Sequence, residues 1–155
     1  MTSFPKNLVL LLALLTVPGV SQGAQEISQS LTFDGRAYSD TAATIPMLDT
    51  IATKIQILNS AQDCILYEEQ QTVNTTTTNG YFTIQIGASQ SNAKRASNDV
   101  NNTMSTVFSN TVASISGKNL TNSAACTYTP TSGDKRYVRL QMTPAADNVT
   151  RTISP

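Results

Sequence analysis

The sequence contains no histidine and no tryptophan, and only two of its 155 residues are cysteine. Without histidine, a Ser-His-Asp or Cys-His catalytic arrangement cannot form. Two cysteines are also too few ligands for a zinc site. The glycines stand singly rather than in a phosphate-binding loop. We therefore expect a protein that is not an enzyme, with no catalytic, cofactor-binding or metal-binding residues and no cofactor.

The acidic residues give little sign of a carboxylate pair that could act in catalysis. Adjacent Glu68 and Glu69 point to opposite faces if they lie on a strand. Segment 97–103 offers oxygen ligands but lacks the spacing and closing Glu of a calcium loop, so a calcium site there is the weaker alternative. All the aspartates fall in predicted turns, loops or caps, where they bond to nearby backbone: Asp34, Asp40, Asp49, Asp63, Asp99, Asp134 and Asp147.

The first 23 residues are unlike the rest of the chain. Lys6 precedes an apolar run at 8–15, and small residues up to Gly23 suit cleavage there. This order is typical of a secretory signal peptide. Even when it is extended to an apolar core of about a dozen residues, this run is shorter than the roughly 20 residues that span a bilayer, and Pro18 and Gly19 break it. An uncleaved membrane anchor is the alternative. We expect a mature chain of residues 24–155 that is secreted, periplasmic or at the cell surface.

The mature chain has almost no net charge. Loss of Lys6 with the leader leaves nine basic residues against ten acidic ones, a net charge of −1. Nucleic acid is therefore a poor partner, because binding to phosphates depends on a basic excess. No second apolar run reaches spanning length, so we expect no membrane insertion after cleavage.

Cys64 and Cys126 are the only cysteines, and in an exported chain a single pair is most simply one disulfide. The bridge would close a loop of about 60 residues and add on the order of 4 kcal/mol in the chain-entropy model. Two free thiols buried as small hydrophobic groups are the alternative.

Short alternating runs separated by turn residues predict an all-β fold in one domain, 24–155. We expect an antiparallel β-sandwich of the Ig-like or prealbumin-like kind, with about seven strands. The runs are 27–38, 51–58, 64–73, 81–86, 111–115, 136–143 and 149–153. The predicted core residues are Phe33, Ile55, Ile57, Tyr67, Phe82, Ile84, Ile86, Phe108, Val138, Leu140 and Met142.

Strand 64–73 is expected to place Ile65 and Tyr67 on one face and Leu66 on the other, by simple alternation. We expect it to pair with strand 81–86 as a hairpin, because a loop of about six residues joins them.

The two later segments with mixed patterns are 99–109 and 116–134. Segment 99–109 predicts a short helix with Asp99 as its N-cap, and one apolar face from Val100 to Phe108. An irregular loop with an apolar plug is the alternative. Segment 116–134 predicts a long polar loop that contains Cys126.

Three segments carry a resemblance to a known family: "LTFDGRAYSD…IPMLDTIATKIQIL", "CILYEEQQTVNTTTTNGYFTIQIGAS" and "NTMSTVFSN…GDKRYVRLQMTP". Together they resemble the N-terminal β-sandwich module of tail-fibre-like or collagen-like bacterial surface adhesins. Versions are numerous in predatory Gram-negative bacteria, and many end in a self-cleaving intramolecular chaperone. The shared pattern is "F-x-G", "LYEE" before a threonine-rich turn, "NG-[YF]-F-x-[IL]-x-IG" and "RYVRL".

The resemblance implies a non-enzymatic structural module that mounts or spaces the distal binding region of an adhesive fibre. Residues 24–155 would then be the N-terminal part of a longer protein. The implied partners are the downstream stalk of the same fibre or other surface proteins, and a homotrimer would form only through downstream segments. No catalytic residue is carried over.

An autonomous glycan- or protein-binding sandwich is the alternative function, with a cell-surface glycan as a further candidate partner. Loops 39–49, 88–98 and 117–134, gathered at one end of the sandwich, would form that surface. Exposed tyrosines could add a sugar platform, although half-buried cross-strand packing is their competing interpretation. The candidates are Tyr38, Tyr81, Tyr128 and Tyr137.

Overall fold

Nine strands and one short helix make up the part of the chain that the computed structural model describes, residues 30–40, 42–87, 94–97 and 99–154. The predicted leader lies outside these residues, as does most of loop 88–98. Every strand pairing among these residues is antiparallel. The expected all-β, antiparallel, sandwich-like fold is confirmed.

The strands form one large and one small sheet. The elements are β1 Leu31–Arg36, β2 Thr50–Leu58, β3 Cys64–Asn74, β4 Tyr81–Ile86, β5 Lys94–Arg95, α1 Met104–Phe108, β6 Ile115–Asn119, β7 Ala125–Tyr128, β8 Tyr137–Pro144 and β9 Arg151–Ile153. The large sheet has the order β7-β6-β3-β2-β8-β9, and β5 adds to β3. The small sheet pairs β1 with β4.

The core lies against one face of the large sheet. At the Asn74 end, where β2 starts and β3 and β8 finish, the small sheet covers it. At the Cys64 end, where β2 finishes and β3 and β8 start, α1 covers it, and Ile115 of β6 and Tyr128 of β7 extend it. The fully buried members include Ile51, Ile55, Ile57, Leu66, Ile84, Val107 and Ile115.

Most of the predicted core residues lie in this cluster. Ile55, Ile57, Tyr67, Ile84, Ile86 and Leu140 are buried. The rings of Phe33 and Phe82 stack on each other and are only partly buried, as are Val138 and Met142, and all four pack against the core.

A one-residue bulge in β3 changes which side chains face the core. Ile57 pairs with Tyr67, whereas its neighbour Leu58 pairs with Ile65, so Leu66 is the extra residue on β3. Leu66 and Tyr67 are both buried, whereas Ile65 lines a cavity on the outer face. The expected alternation of Ile65 inward and Leu66 outward is therefore wrong, because one inserted residue reverses the faces beyond it.

The predicted hairpin between β3 and β4 is also wrong, because β4 pairs with β1 in the other sheet. Thr75, buried just after β3, donates its hydroxyl to the carbonyl of Met47 at 2.7 Å and accepts from the backbone NH of Asp49 at 3.0 Å. These bonds fix the connection at the Asn74 end. Asn79 and Gly80 then adopt positive φ values of 54° and 85°, which turn the chain across to the small sheet.

Helix α1 is shorter than predicted and has a different cap. The hydroxyl of Thr103 accepts from the NH of Thr106 at 3.1 Å, so Thr103 rather than Asp99 is the N-cap. Met104 and Val107, three residues apart, face the core. Phe108 follows directly and points away, with 36% of its surface exposed. Its assignment to the core is therefore wrong.

Segment 116–134 is not a single loop. Its first part forms the β6–β7 hairpin, and Cys126 lies on β7. The predicted strand at 111–115 instead begins at Ile115. Cys126 forms a disulfide with Cys64, with Cα atoms 6.1 Å apart and a separation of 62 positions in sequence. This disulfide indicates a non-reducing, extracellular-type compartment.

The disulfide lies over Gly117 of β6, the strand between β3 and β7. A Cβ at Gly117 would lie 2.5 Å from Sγ of Cys64, 2.6 Å from the carbonyl oxygen of Ile65 and 3.1 Å from Sγ of Cys126. No side chain fits at that position without displacing the disulfide or the β3 backbone.

We expect Gly117→Ala to lower the free energy of unfolding by about 2 kcal/mol, because the added methyl overpacks this site. Urea denaturation checks this, with the exposed neighbour substitution Ser116→Ala as control. The loss should shrink in a Cys64→Ala/Cys126→Ala background, where the sulfur atoms are gone. An equal loss in both backgrounds would contradict the proposed contact with the disulfide.

Candidate functional site

A row of three polar side chains crosses the outer face of the large sheet. Gln56 of β2 pairs directly with Glu68 of β3 on one side and with Arg139 of β8 on the other. The row faces away from the core because its neighbours Ile55 and Ile57 face inward. An Nη1–H of Arg139 donates to Oε1 of Gln56 at 2.7 Å, and the amide of Gln56 donates to Oε2 of Glu68.

This row forms one wall of a concave site, the outer cavity, with a volume of about 310 Å³. That volume is at the lower end of the range for small-molecule sites. The remaining walls come from neighbouring positions of β2, β3 and β8, from the β6–β7 hairpin and from the segment before α1. They include Lys54, Ile65, Asp99, Val100, Lys118, Leu120, Ser123 and Gln141.

Glu68 is the unusual member of the outer cavity. Its residue surface is only 5% exposed. Its Oε1 atom is buried and has no hydrogen-bond donor among the described residues. Nζ of Lys54 lies 3.9 Å away, close enough for an ion pair but too far for a hydrogen bond. A buried carboxylate oxygen without a donor costs folding free energy.

The adjacent Glu69 lies on the core side and has its hydrogen bonds satisfied. It accepts from the hydroxyl of Tyr67, from the NH of Gly87 at 3.2 Å and from the amide of Gln71 at 3.3 Å. Burial, followed by the hydrogen bond to Glu69, raises the pKa of Tyr67 above its ordinary value. Arg95 stacks over the Tyr67 ring, 3.8 Å from its centroid. This cluster is closed, and it links the two sheets.

Asp99, which the sequence suggested as a helix cap, instead holds the segment before α1 against β3. One carboxylate oxygen accepts from the backbone NH of Glu68 at 2.7 Å. The other accepts from the NH of Asn101 at 2.6 Å and forms an ion pair with Arg95. Asp99 therefore borders the outer cavity with its charge already paired.

Arg136 links the C-terminal end of α1 to the β7 region. Its guanidinium donates to the carbonyl of Val107 at 2.7 Å and to that of Ser109 at 3.0 Å. It also donates to the hydroxyl of Tyr128 at 2.9 Å, and that hydroxyl donates to Asp134 at 2.6 Å. Tyr128 is thus a buried structural residue rather than part of a sugar platform.

Two of the candidate tyrosines, the exposed Tyr81 and the half-buried Tyr38, lie beside Arg36 of the small sheet. The Arg36 guanidinium lies 4.7 Å from the ring centroid of Tyr81 and 5.2 Å from that of Tyr38. Tyr81 is 56% exposed. Tyr137, on β8, does not belong to this group and is half-buried. The four candidate tyrosines therefore do not form one surface.

The predicted binding loops are likewise separated. The NH of Thr75 donates to the carbonyl of Asp49 at 2.8 Å, which places loop 39–49 at the Asn74 end. The NH of Leu120 donates to the carbonyl of Asp63 at 2.8 Å, which places the β6–β7 turn at the Cys64 end. The expectation that these loops meet at one end of the sandwich is wrong. Most of loop 88–98 lies outside the described residues.

Within residues 30–40, 42–87, 94–97 and 99–154, no group of three or more His, Cys, Asp or Glu side chains is placed to bind a metal ion. No helix in the described part of the chain is long and apolar enough to cross a membrane. Comparisons of the chain with protein-family models, with curated proteins and with solved structures found no match.

The outer cavity contains residues that the sequence pattern did not single out. Lys54 and Gln56 alternate with the buried Ile55 and Ile57, so their outward direction could have been read from β2 alone. The contact between Gln56 and Arg139 could not be predicted, because it depends on the β2–β8 register. Lys118 could not be assigned to this face, because its segment was predicted to be a loop rather than a strand.

The Tyr128–Asp134 bond predicts a specific loss of stability in acid. Hydrogen bonds from Tyr128 and from the NH of Thr131 hold the pKa of Asp134 below its ordinary value of 3.8. Because the folded-state pKa is the lower one, Asp134 contributes stability above pH 3.8 and loses it as the pH falls through the folded pKa.

We therefore expect Asp134→Asn to be less stable than the wild type near neutral pH, with the difference vanishing in strong acid. Thermal unfolding measured across the acid range checks this. In a Tyr128→Phe background the first bond is absent, so the pH-dependent difference should be smaller. A difference that is constant with pH would show that the charge of Asp134 plays no part.

Proposed function

We propose that this protein is a non-enzymatic structural module of an exported surface fibre, which mounts or spaces a distal binding region. Its partners would be the downstream stalk of the same fibre or other surface proteins, with any homotrimer formed through downstream segments. The Cys64–Cys126 disulfide supports the exported location, because such bonds persist in oxidising compartments.

The observation that carries this proposal is the place of the resemblance motifs in the fold and the contacts that they make. The "LYEE" motif lies on β3, and "NGYFTIQIG" contains β4. Glu69 of the first motif accepts from the NH of Gly87 at the end of the second, at 3.2 Å. The amide of Gln71 also donates to the carbonyl of Gln85 at 2.7 Å. The motif residues and the nearby Gln71 tie the two sheets together, as expected of a framework rather than a reaction site.

The "RYVRL" motif has the same framework character. It covers the start of β8, which pairs with β2 in the large sheet. Arg136, its first residue, holds the C-terminal end of α1 through the carbonyls of Val107 and Ser109. Leu140, its last residue, is buried in the core. Arg139 is the exception, because it reaches the outer cavity.

The positions of β1 and β9 also suit a mounted module. Leu31 at the start of β1 pairs with Ile86, next to the Gly87–Glu69 contact, and β1 then runs toward the Asn74 end. Ile153 at the end of β9 pairs with Leu140, and β9 runs toward the Cys64 end. The start of β1 and the end of β9 are therefore both directed away from the Asn74 end.

A surface-display experiment tests the mounting role. The chain would be fused, with its leader, ahead of a trimeric coiled-coil stalk that carries an epitope tag, and expressed in a Gram-negative bacterium. We expect antibody to label the tag on intact cells, because the sandwich retains the stalk at the surface.

The matched control joins residues 1–29 directly to the stalk, which keeps the predicted leader and removes the sandwich. This control should release its stalk or leave it unlabelled. Equal labelling with and without residues 30–154 would contradict the mounting role. Release of the complete fusion into the medium would contradict it as well.

A further inference from the structure

We propose that the outer cavity binds a single acidic sugar residue of the uronic acid type, with a hydroxyl donating to Glu68 and the carboxylate held by Arg139. This site is independent of the mounting role. It lies on the face of the large sheet rather than on the loops at either end. Its assignment rests on three features of the cavity: an unused acceptor, an unused cation and the balance of charge.

The unused acceptor is Oε1 of Glu68. The side chain is more than nine-tenths buried, and this atom has no donor among the described residues. Buried polar atoms nearly always have a hydrogen-bond partner, and an exception at a cavity wall points to a missing one. A ligand hydroxyl would supply this donor without adding a charge to the cavity.

The unused cation is the guanidinium of Arg139. A guanidinium has five N–H donors, and within the described residues only one bond is made, to Oε1 of Gln56. The remaining donors can take a carboxylate, which guanidinium groups bind through paired, charge-assisted bonds. Gln56 links the two ligand contacts, because it bonds to both Arg139 and Glu68.

The charge balance of the cavity favours an anion. Lys54, Lys118 and Arg139 line it against two carboxylates, Glu68 and Asp99. Asp99 is already paired with Arg95. The charges that remain for a ligand are therefore mostly positive, which disfavours a metal ion or a polyamine. The apolar side chains of Ile65 and Leu120 also line the site and can contact the C–H groups of a sugar ring.

A zwitterionic amino acid is the nearest competitor, since its ammonium could approach Glu68 and its carboxylate Arg139. Lys54 argues against it, because Nζ already lies 3.9 Å from Oε1 of Glu68. A second cation at that oxygen would be repelled, whereas a neutral hydroxyl would not.

An NMR titration of the purified, disulfide-bonded protein with sodium glucuronate tests the proposal. We expect a dissociation constant on the order of 1 mM, as is usual for so small a ligand. The side-chain amide signals of Gln56 and Gln141 should shift, because both residues line the cavity. Glucose lacks the carboxylate and propionate lacks the hydroxyls, so each should bind more weakly than glucuronate.

Two substitutions assign the contacts. Arg139→Gln should weaken glucuronate binding by about tenfold or more, because a charge-assisted pair is lost. The exposed Lys135→Gln, which changes net charge equally, should leave it unaltered. Glu68→Gln should weaken binding of both glucuronate and glucose while keeping the melting temperature, which would exclude simple unfolding.

Several results would overturn the proposal. These are no shift across the millimolar range, shifts confined to the Arg36 and Tyr81 region, glycine binding as tightly as glucuronate, and equal effects of Arg139→Gln and Lys135→Gln. Glycine binding as tightly as glucuronate would assign the cavity to an amino acid instead.

Discussion

The one-residue bulge in the β2–β3 pairing is the constraint on which both faces of the large sheet depend. Before the bulge, the register from Ile51–Val73 to Ile57–Tyr67 is regular. Leu66 then enters as an extra residue, and the faces of β3 exchange. Cys64 consequently lies on the core side, where it reaches Cys126 over Gly117. Ile65 moves to the outer face and becomes part of the cavity wall.

Glu68 and Glu69 show how two adjacent buried carboxylates can differ in role. Glu69 receives donors from three residues of the framework, so its burial stabilises the contact between the sheets. Glu68 accepts one hydrogen bond, and its other oxygen has no donor among the described residues. This unpaired oxygen lowers the stability of the fold, and no contact of the framework compensates for it. Proteins accept such costs at functional sites. Of these two adjacent residues, Glu69 therefore belongs to the framework and Glu68 to the outer cavity.

The sequence pattern predicted the fold class and the inward faces of regular strands, because strict alternation marks one buried face. Ile84 and Ile86 of β4 and Leu140 of β8 illustrate this. Strand partners could not be read in the same way. The threonine-rich turn was compatible with a hairpin, and only the anchoring of Thr75 to Met47 and Asp49 directs β4 to the other sheet. The outer cavity depends on that kind of long-range register, so its residues could be assigned a face but not neighbours.

The stability of the paired variants Ile65→Ala and Leu66→Ala tests the bulge most directly. If Leu66 is the inserted, buried residue, Leu66→Ala should lower the free energy of unfolding by about 2–5 kcal/mol. Ile65→Ala should cost about 1 kcal/mol or less, because Ile65 faces the cavity. Denaturant unfolding of both variants gives the answer. A larger loss for Ile65→Ala than for Leu66→Ala would mean that β3 alternates without a bulge, and the outer cavity as described would not exist.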